Sequence, residues 1–299
     1  MNGILLVDKP QGMTSHDVVD KIRRAAKQRR VGHTGTLDPS ATGLLILCLG
    51  HATRLSEFFT GMDKTYEGVM RLGIVTDSHD LDGAVLDEKP YPEHLSEQQV
   101  RSTLEQFTGD ILQVPPMVSA VKVAGERLYI KARKGEVVHR EPRPVRVYEF
   151  EPTRIMLPEI AFRVRCSRGT YARTLCHDVG TALGCGASLA RLRRTEVGRH
   201  SIHEAHTLDQ LTSVSDVEQF LQSPDTALDL PEVHVKPICR TVVASGGVLG
   251  FHDLTGPCPV TEGWVQIKEE SGELLAVGEV DTHETGVRIR PKRVLCGQP

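Results

Sequence analysis

Residues Gly32 to Gly43 read GHTGTLDPSATG, and Asp38 and His33 are the only ionisable side chains among them. Three glycines, one proline, three threonines and one serine make a regular helix or strand improbable across the middle of this stretch. Asp38 precedes Pro39, and a residue before proline is pushed into extended or turn conformations. A carboxylate presented by backbone geometry in this way can serve as a nucleophile or general base. A lone Asp-Pro is more often a simple turn, so the rest of the chain has to supply the case for chemistry. The loop lacks the G-K-[ST] ending of a phosphate-cradling P-loop.

Charge is the next signal. The net charge is −3, which by itself argues against a nucleic-acid partner, but the charges are segregated. Asp77 to Asp110 holds nine acidic residues against two basic ones, and Glu204 to Glu232 holds seven acids with no Lys or Arg. Basic residues gather in three other blocks. Lys21 to Arg30 runs into the Asp38 loop. The second block covers Lys122, Arg127, Lys131, Arg133, Lys134, Arg140, Arg143 and Arg146. The third covers Arg163, Arg165, Arg168, Arg173, Arg191, Arg193 and Arg194. This arrangement suits a polyanion bound on one face.

The chain of 299 residues is 39% hydrophobic and 25% charged, within the range of folded globular proteins. No run approaches the ~20 apolar residues of a membrane span, and Asp8 and Lys9 interrupt any export signal. Seven scattered cysteines without a C-x-x-C pair favour reduced thiols in the cytoplasm over disulfides or a zinc site.

The elements that must position these residues alternate irregularly. Strands are expected at Gly3–Val7, Leu44–Leu49, Thr65–Leu72, Val145–Ile155 and Ile160–Cys166. Helices are expected after a Thr14 or Ser15 cap, over His51–Phe59, after a Ser96 cap to Phe107, and over Thr170–Leu183. Gln113–Val147 is rich in basic residues, Pro and Gly and reads as an excursion from the core. An acidic stretch, Leu208–Leu221, reads as helical. Beyond Leu228–Pro237, short apolar runs separated by Gly and Pro suggest a small all-β module, with Thr241–Ala244 as one of its runs. The rhythm is not that of a doubly wound parallel sheet, so an antiparallel or mixed α+β core is expected.

Several blocks carry a resemblance to the bacterial tRNA pseudouridine synthases of the TruB family. They are GILLVDKPQGMTS, RRVGHTGTLDPSATGLLILCLGHATR, KTYEGVMRLGIVTDSHDLDG, PPMVSAVKVAGERLYIKARKG, CSRGTYARTLCHDVGTALG and ASLARLRRTEVG. The match is dense over residues 1–200, and the tail resembles the family's PUA-type module more loosely. The implied architecture is a mixed, mostly antiparallel sheet with flanking helices over 1–228, with an RNA-gripping thumb insertion at about 113–147. A small all-β PUA-like RNA-binding module over 229–299 completes it. Arg54, Val118 and His200 depart from the family pattern, which usually has Lys, Tyr and an aromatic there.

The resemblance implies isomerisation of the T-loop uridine of tRNA, position 55 in tRNA numbering. The N1–C1′ bond breaks, the base turns, and C5 joins C1′, with no cofactor or metal. Asp38 is then the essential carboxylate and Arg173 its charge partner. Tyr66 is the ring against the extruded base and a candidate for proton transfer. His33 enters the space the base leaves, and Leu192 packs on the base edge. Lys9, Gly35, Thr36, Lys122, Arg127 and Arg133 are implied substrate contacts. The implied partner is the tRNA T arm, with no membrane and no obligate protein partner, and the protein is expected to be a monomer. Two other readings stand beside this one: a non-catalytic RNA-binding or RNA-folding protein, and the catalytic subunit of a guide-RNA-dependent complex. Asp38 argues against the first, and the basic insertion and short tails argue against the second.

Overall fold

The computed structural model describes residues 1–299 except 93, 120, 124, 129–130, 132–135, 137, 214–215, 284–285 and 297–299, and the side chains of 122, 123, 127, 282 and 283. Its centre is a ten-stranded mixed sheet. Along the sheet the strands run His206–Thr207, Gly3–Lys9, Thr42–Leu49, Ala187–Val197, Lys64–Leu72, Glu159–Cys166, Arg143–Met156 and Gly109–Gln113. Val31–His33 pairs beside Thr42–Leu49, and His200–Ser201 beside Ala187–Val197. Most pairs are antiparallel, and two are parallel: Gly3–Lys9 with His206–Thr207, and Ala187–Val197 with Thr42–Leu49. This is the α+β architecture expected, with helices packed on the sheet.

The sheet is held by strands that are apolar on both faces. Leu44, Leu45, Ile46, Leu47 and Leu49 are fully buried, and each contributes about 1.5–3 kcal/mol by leaving water. The helix Ser15–Ala25 starts at Thr14, whose side chain accepts from the Asp17 N–H while Asp17 caps back. Val18, Val19 and Ile22 face the core. Ser96 caps the helix Glu97–Glu105 in the same manner through Gln99. The helix Ala172–Ala182 packs Leu175, Cys176 and Val179 against the sheet.

Where Thr42–Leu49 meets Ala187–Val197 only two residue pairs match, Arg193 with Thr42 and Arg194 with Gly43. Gly43 has φ +101°, and a Cβ there would lie 2.2 Å from the Arg194 carbonyl oxygen. Only glycine permits this approach. The Asp38 loop runs directly into Thr42–Leu49 at this contact.

A second, five-stranded sheet runs Glu232–Val235, Gly263–Glu269, Leu274–His283, Gly286–Val294 and Leu249–Gly250. The two sheets share a core. Ile4, Leu6 and Ile46 of the first, with Phe59 of the helix Ser56–Gly61, cluster with Leu274 and Val277 of the second, and Phe58 of that helix meets Trp264 edge-on at 5.1 Å. Arg54 reaches across to donate to the Val294 carbonyl, and Arg293 pairs with Glu57. His200 is buried against Phe59 and hydrogen-bonds the Ala227 carbonyl oxygen at 3.0 Å, so an imidazole serves as a polar pin at that position.

Three expectations need correction. The acidic stretch Leu208–Leu221 is not one helix: an α-helix, Leu208–Ser213, is followed by a 3-10 turn, Val217–Phe220, capped by Asp216. Thr241–Ala244 belongs to a short helix, Arg240–Ala244, not to a strand, because its apolar residues pack from one face only. The excursion begins and ends inside the Gln113–Val147 range, since Gln113 closes one core strand and Arg143 opens the next.

Candidate active site

The Asp38 loop is pinned from behind by the turn that follows the first strand. Leu37 is buried, its N–H donates to the Ser15 Oγ at 2.9 Å, and that hydroxyl donates to the Leu37 carbonyl oxygen at 3.2 Å. The Pro39 carbonyl oxygen accepts from the Gly12 N–H at 2.8 Å and from the Lys9 ammonium at 3.3 Å. Lys9 also donates to the Pro10 and Met13 carbonyl oxygens and is wholly buried; burial pulls it down to about 8. Lys9 is therefore buried behind the loop, bonded to three backbone carbonyl oxygens.

With its backbone fixed, Asp38 turns its carboxylate toward Arg173. The Arg173 Nη2 lies 3.0 Å from Asp38 Oδ2 and 3.3 Å from Oδ1, and also donates to the Val118 carbonyl oxygen at 2.9 Å. The other guanidinium nitrogen, Nη1, lies 3.3 Å from Asp80 Oδ2. Arg173 is buried, with a side chain 5% exposed, against 12% for Asp80 and 40% for Asp38. Burial raises the Asp38 carboxyl, Arg173 pulls it back down, and Asp80 pushes it up again.

Asp38, Tyr66 and Arg173 line a cleft of about 510 Å³ together with Gly35, Thr36, Lys64, Arg168 and Arg194. A smaller cavity of about 70 Å³ continues from it between Leu37, Leu189 and Leu192. The result is a charged pair at the mouth of an apolar slot, which Tyr66 and Leu192 share. Burial pushes the Tyr66 phenol up, with the nearby Arg194 guanidinium opposing, so the hydroxyl is kept protonated.

The structure therefore gathers Asp38, Arg173, Tyr66, Leu192, Gly35 and Thr36 in one place. His33 lies a strand back. It is partly buried, its Nδ1 has no partner among the described residues, and burial pulls the ring down, so it is held neutral. The Lys122 and Arg127 side chains and all of Arg133 lie outside the described residues; the backbones of 122 and 127 pair in a short hairpin.

Two residues that carry the site, Asp80 and Arg194, were given no individual role in the sequence beyond their charge, and a third, Lys64, stood only within a resembling block. Asp80 counted as one of nine acids in an exposed-looking run. Arg194 counted as part of a basic block, yet it is 2% exposed and donates to the Leu44 and Gly35 carbonyl oxygens at 2.7 and 3.0 Å, tying the loop to the sheet. Lys64 is buried beside the cleft and pulled down to about 8 by that burial. The only sequence signal for Asp80 is its place in T-D-S-H-D-L-D-G. There the Ser78 hydroxyl bonds the Asp80 carboxylate at 2.6 Å, and the Asp82 N–H donates to the same Asp80 oxygen at 3.2 Å.

Comparison with known proteins gives a consistent picture. The profile of the TruB family pseudouridylate synthase N-terminal domain matches residues 23–172, and that of the tRNA pseudouridylate synthase B C-terminal domain matches residues 173–229. The chain is 52% identical over 214 residues to tRNA pseudouridine synthase B of Opitutus terrae, covering 72% of this chain and 88% of that one. It is 39% identical to the protein of that name from Cronobacter sakazakii, covering 100% of this chain and 96% of that one. Among solved structures it is similar to a chain of a Cbf5–Nop10–Gar1 complex. The TM-score is 0.75 at 27% identity, over 99% of this chain and 85% of that one. It is likewise similar to a chain of the archaeal box H/ACA sRNP Nop10–Cbf5 complex. There the TM-score is 0.74 at 26% identity, over 99% and 86%.

Proposed function

The chain belongs to the TruB family of pseudouridylate synthases, and from that membership we propose that it converts a uridine of tRNA, the one at position 55 in the T loop, to pseudouridine. The observation that carries this reading is the Asp38–Arg173 pair at the mouth of a cleft walled by Tyr66 and Leu192. Chemistry at N1 and C5 of a base cannot occur inside a stack, so the uridine is extruded into this cleft. Asp38 acts as the anion at the reacting sugar and base, and Arg173 keeps it ionised where burial alone would favour the acid. Tyr66 packs on the base. After C1′ joins C5, the C5 hydrogen leaves as a proton, and a neutral phenol can pass it on by accepting at oxygen while giving up its own. Leu192 bounds the base edge, and His33 enters the gap that extrusion leaves in the RNA.

Identity to tRNA pseudouridine synthases, 39–52% in the two relatives described, exceeds the 26–27% to chains of the Cbf5 complexes, which supports a stand-alone tRNA enzyme over a subunit of such a complex. The insertion within 113–147 grips the T arm, and residues 229–299 form a PUA-like module that adds RNA contacts. The protein acts as a monomer. The test is to map pseudouridine in tRNA from cells lacking this protein and supplied with wild type or Asp38→Asn. Wild type restores position 55 and Asp38→Asn does not, while Asp38→Asn still binds a T-arm transcript within about tenfold of wild type, since an amide keeps the carboxylate's size. Restoration by Asp38→Asn would sink the assignment.

A further inference from the structure

We propose that Gln113 is a positioning residue for the reaction: its side-chain amide clamps the Tyr171 backbone and thereby sets where the helix carrying Arg173 begins. This inference rests on the Asp38–Arg173 reading above. Gln113 is the last residue of the core strand Gly109–Gln113, at the root of the basic insertion, and is 2% exposed. The Tyr171 N–H donates to Gln113 Oε1 at 2.8 Å, and Gln113 Nε2 donates to the Tyr171 carbonyl oxygen at 3.2 Å. The two bonds are reciprocal, as in a strand pair, and fix both the amide and the peptide it faces.

Tyr171 is the N-cap of Ala172–Ala182, and its own side chain makes no capping bond. Gln113 supplies from outside the helix the acceptor for the N-cap N–H that the Glu or Gln of a capping box would supply from within. Arg173 follows two residues later, and its guanidinium lies 5.9 Å from the Tyr171 ring centroid. The same segment returns to Arg173 a second time, where the Val118 carbonyl oxygen accepts from Nη2 at 2.9 Å. That contact uses the backbone of 118, so a valine serves there as well as any other side chain. Arg173 is thus held by the insertion root at its helix start and at its tip. The strand end, the peptide of Tyr171 and the guanidinium form one connected path.

The test uses the full-length protein and a T-arm transcript under single-turnover conditions. Gln113→Met keeps length and apolar volume and removes both bonds. The Tyr171 carbonyl oxygen retains the Thr174 and Leu175 N–H groups as donors, so only one backbone N–H is orphaned. The expected result is a rate lower by about 10–100-fold, the loss that a displacement of about 1 Å produces, with transcript affinity within about threefold. The charged groups that face Asp38 are Arg173, Asp80, Lys9 and Asp82, and Gln113→Met alters none of them. Movement of the acid limb of the pH–rate profile to higher pH therefore reports a displaced Arg173. A wild-type rate overturns the proposal, as does a slow rate with an unmoved limb or a loss confined to affinity. Should Gln113→Met not fold, Gln113→Asn, neutral but one methylene too short, replaces it: the same slow rate and raised limb are expected, and the same three results overturn the proposal. Asp38→Asn in parallel keeps the two readings apart. If it turns over, the assignment of the reaction fails; if it is dead while Gln113→Met is normal, only the role of Gln113 fails.

Discussion

Asp80 holds the side of the Arg173 guanidinium that Asp38 does not, 3.3 Å from Nη1, and is the more buried of the two carboxylates. One cation between two anions has a consequence for each. Asp80 orients Arg173, yet its charge raises the Asp38 carboxyl. Asp80→Asn keeps the size and a hydrogen-bonding oxygen for Ser78. We expect the maximal single-turnover rate to fall about 10–100-fold, because Arg173 loses its anchor. The acid limb should shift to lower pH, because a repulsive charge beside Asp38 is gone. Rates measured from pH 5 to 9 check both. A limb that moves upward would mean that Asp80 acts on Asp38 chiefly by holding Arg173 close.

Arg168 lines the Asp38 cleft and also a larger cleft of about 870 Å³ lined by Phe58 and Trp264. It is exposed and has no carboxylate partner among the described residues, unlike Arg163 and Arg165, which pair with Glu149 and Asp63. A guanidinium without a carboxylate partner at a cleft mouth is available to an RNA phosphate. Arg168→Gln should weaken transcript binding and flatten the log–log salt dependence by about one unit of slope, with the bound-state rate unchanged. Filter binding between 50 and 200 mM salt decides it, and an unchanged slope would place the side chain off the RNA path.

How much of this was legible in the sequence divides by the range of the interaction. The Asp38 turn, the Thr14 and Ser96 caps and the apolar run 44–49 are local, and local rules suffice for them. Asp80 looked like surface charge because its meaning depends on Arg173, 93 residues away. Arg194 looked like part of a basic face because its burial comes from long-range pairings, with Gly43 on one side and Tyr66 on the other. Gln113 carries no signal of its own, since a neutral amide acquires a role only from the peptide that folding places against it. Composition read three basic blocks as one surface, and the structure withdraws Arg173 and Arg194 from it to hold the Asp38 loop.

His79 and His177 stack with ring centroids 4.0 Å apart and planes 5° from parallel, and the His79 Nδ1 lies 3.4 Å from the Thr174 hydroxyl. Burial first, then the neighbouring His177 and Arg173, pulls His79 down to about 3. Burial also pulls His177 down. Both rings are therefore neutral in the fold, while unfolded histidine takes a proton near 6.5. The unfolded state binds more protons below that pH, so stability is fully present above about 6.5 and is lost as pH falls toward 3. His79 has φ 67°, a left-handed conformation that asparagine also tolerates. His79→Asn should flatten the acid side of the stability profile by up to about one proton. Urea midpoints from pH 4 to 8 test this; a slope equal to wild type would show that the stack does not exclude protons.

Removing Arg173 separates the two carboxylates it serves. Asp80, with a side chain 12% exposed, is left buried and unpaired, whereas Asp38, 40% exposed, can turn toward water. Loss of one partner from a buried pair typically costs about 3–5 kcal/mol, and most of that cost should fall on Asp80. Adding Asp80→Asn to Arg173→Ala should therefore restore more stability than adding Asp38→Asn does. Activity follows the other carboxylate. Burial already raises the Asp38 carboxyl and Arg173 opposes that, so Arg173→Ala raises it further. Turnover at neutral pH should collapse and recover in part toward pH 9, as Asp38 ionises without help. Arg173→Lys should fall between, since one ammonium cannot reach Asp38, Asp80 and the Val118 carbonyl oxygen together. Urea melts of the single and double variants, beside rates from pH 6 to 9, resolve the two roles. Equal rescue by either asparagine with a flat pH profile would mean that Arg173 neither anchors on Asp80 nor holds Asp38 ionised.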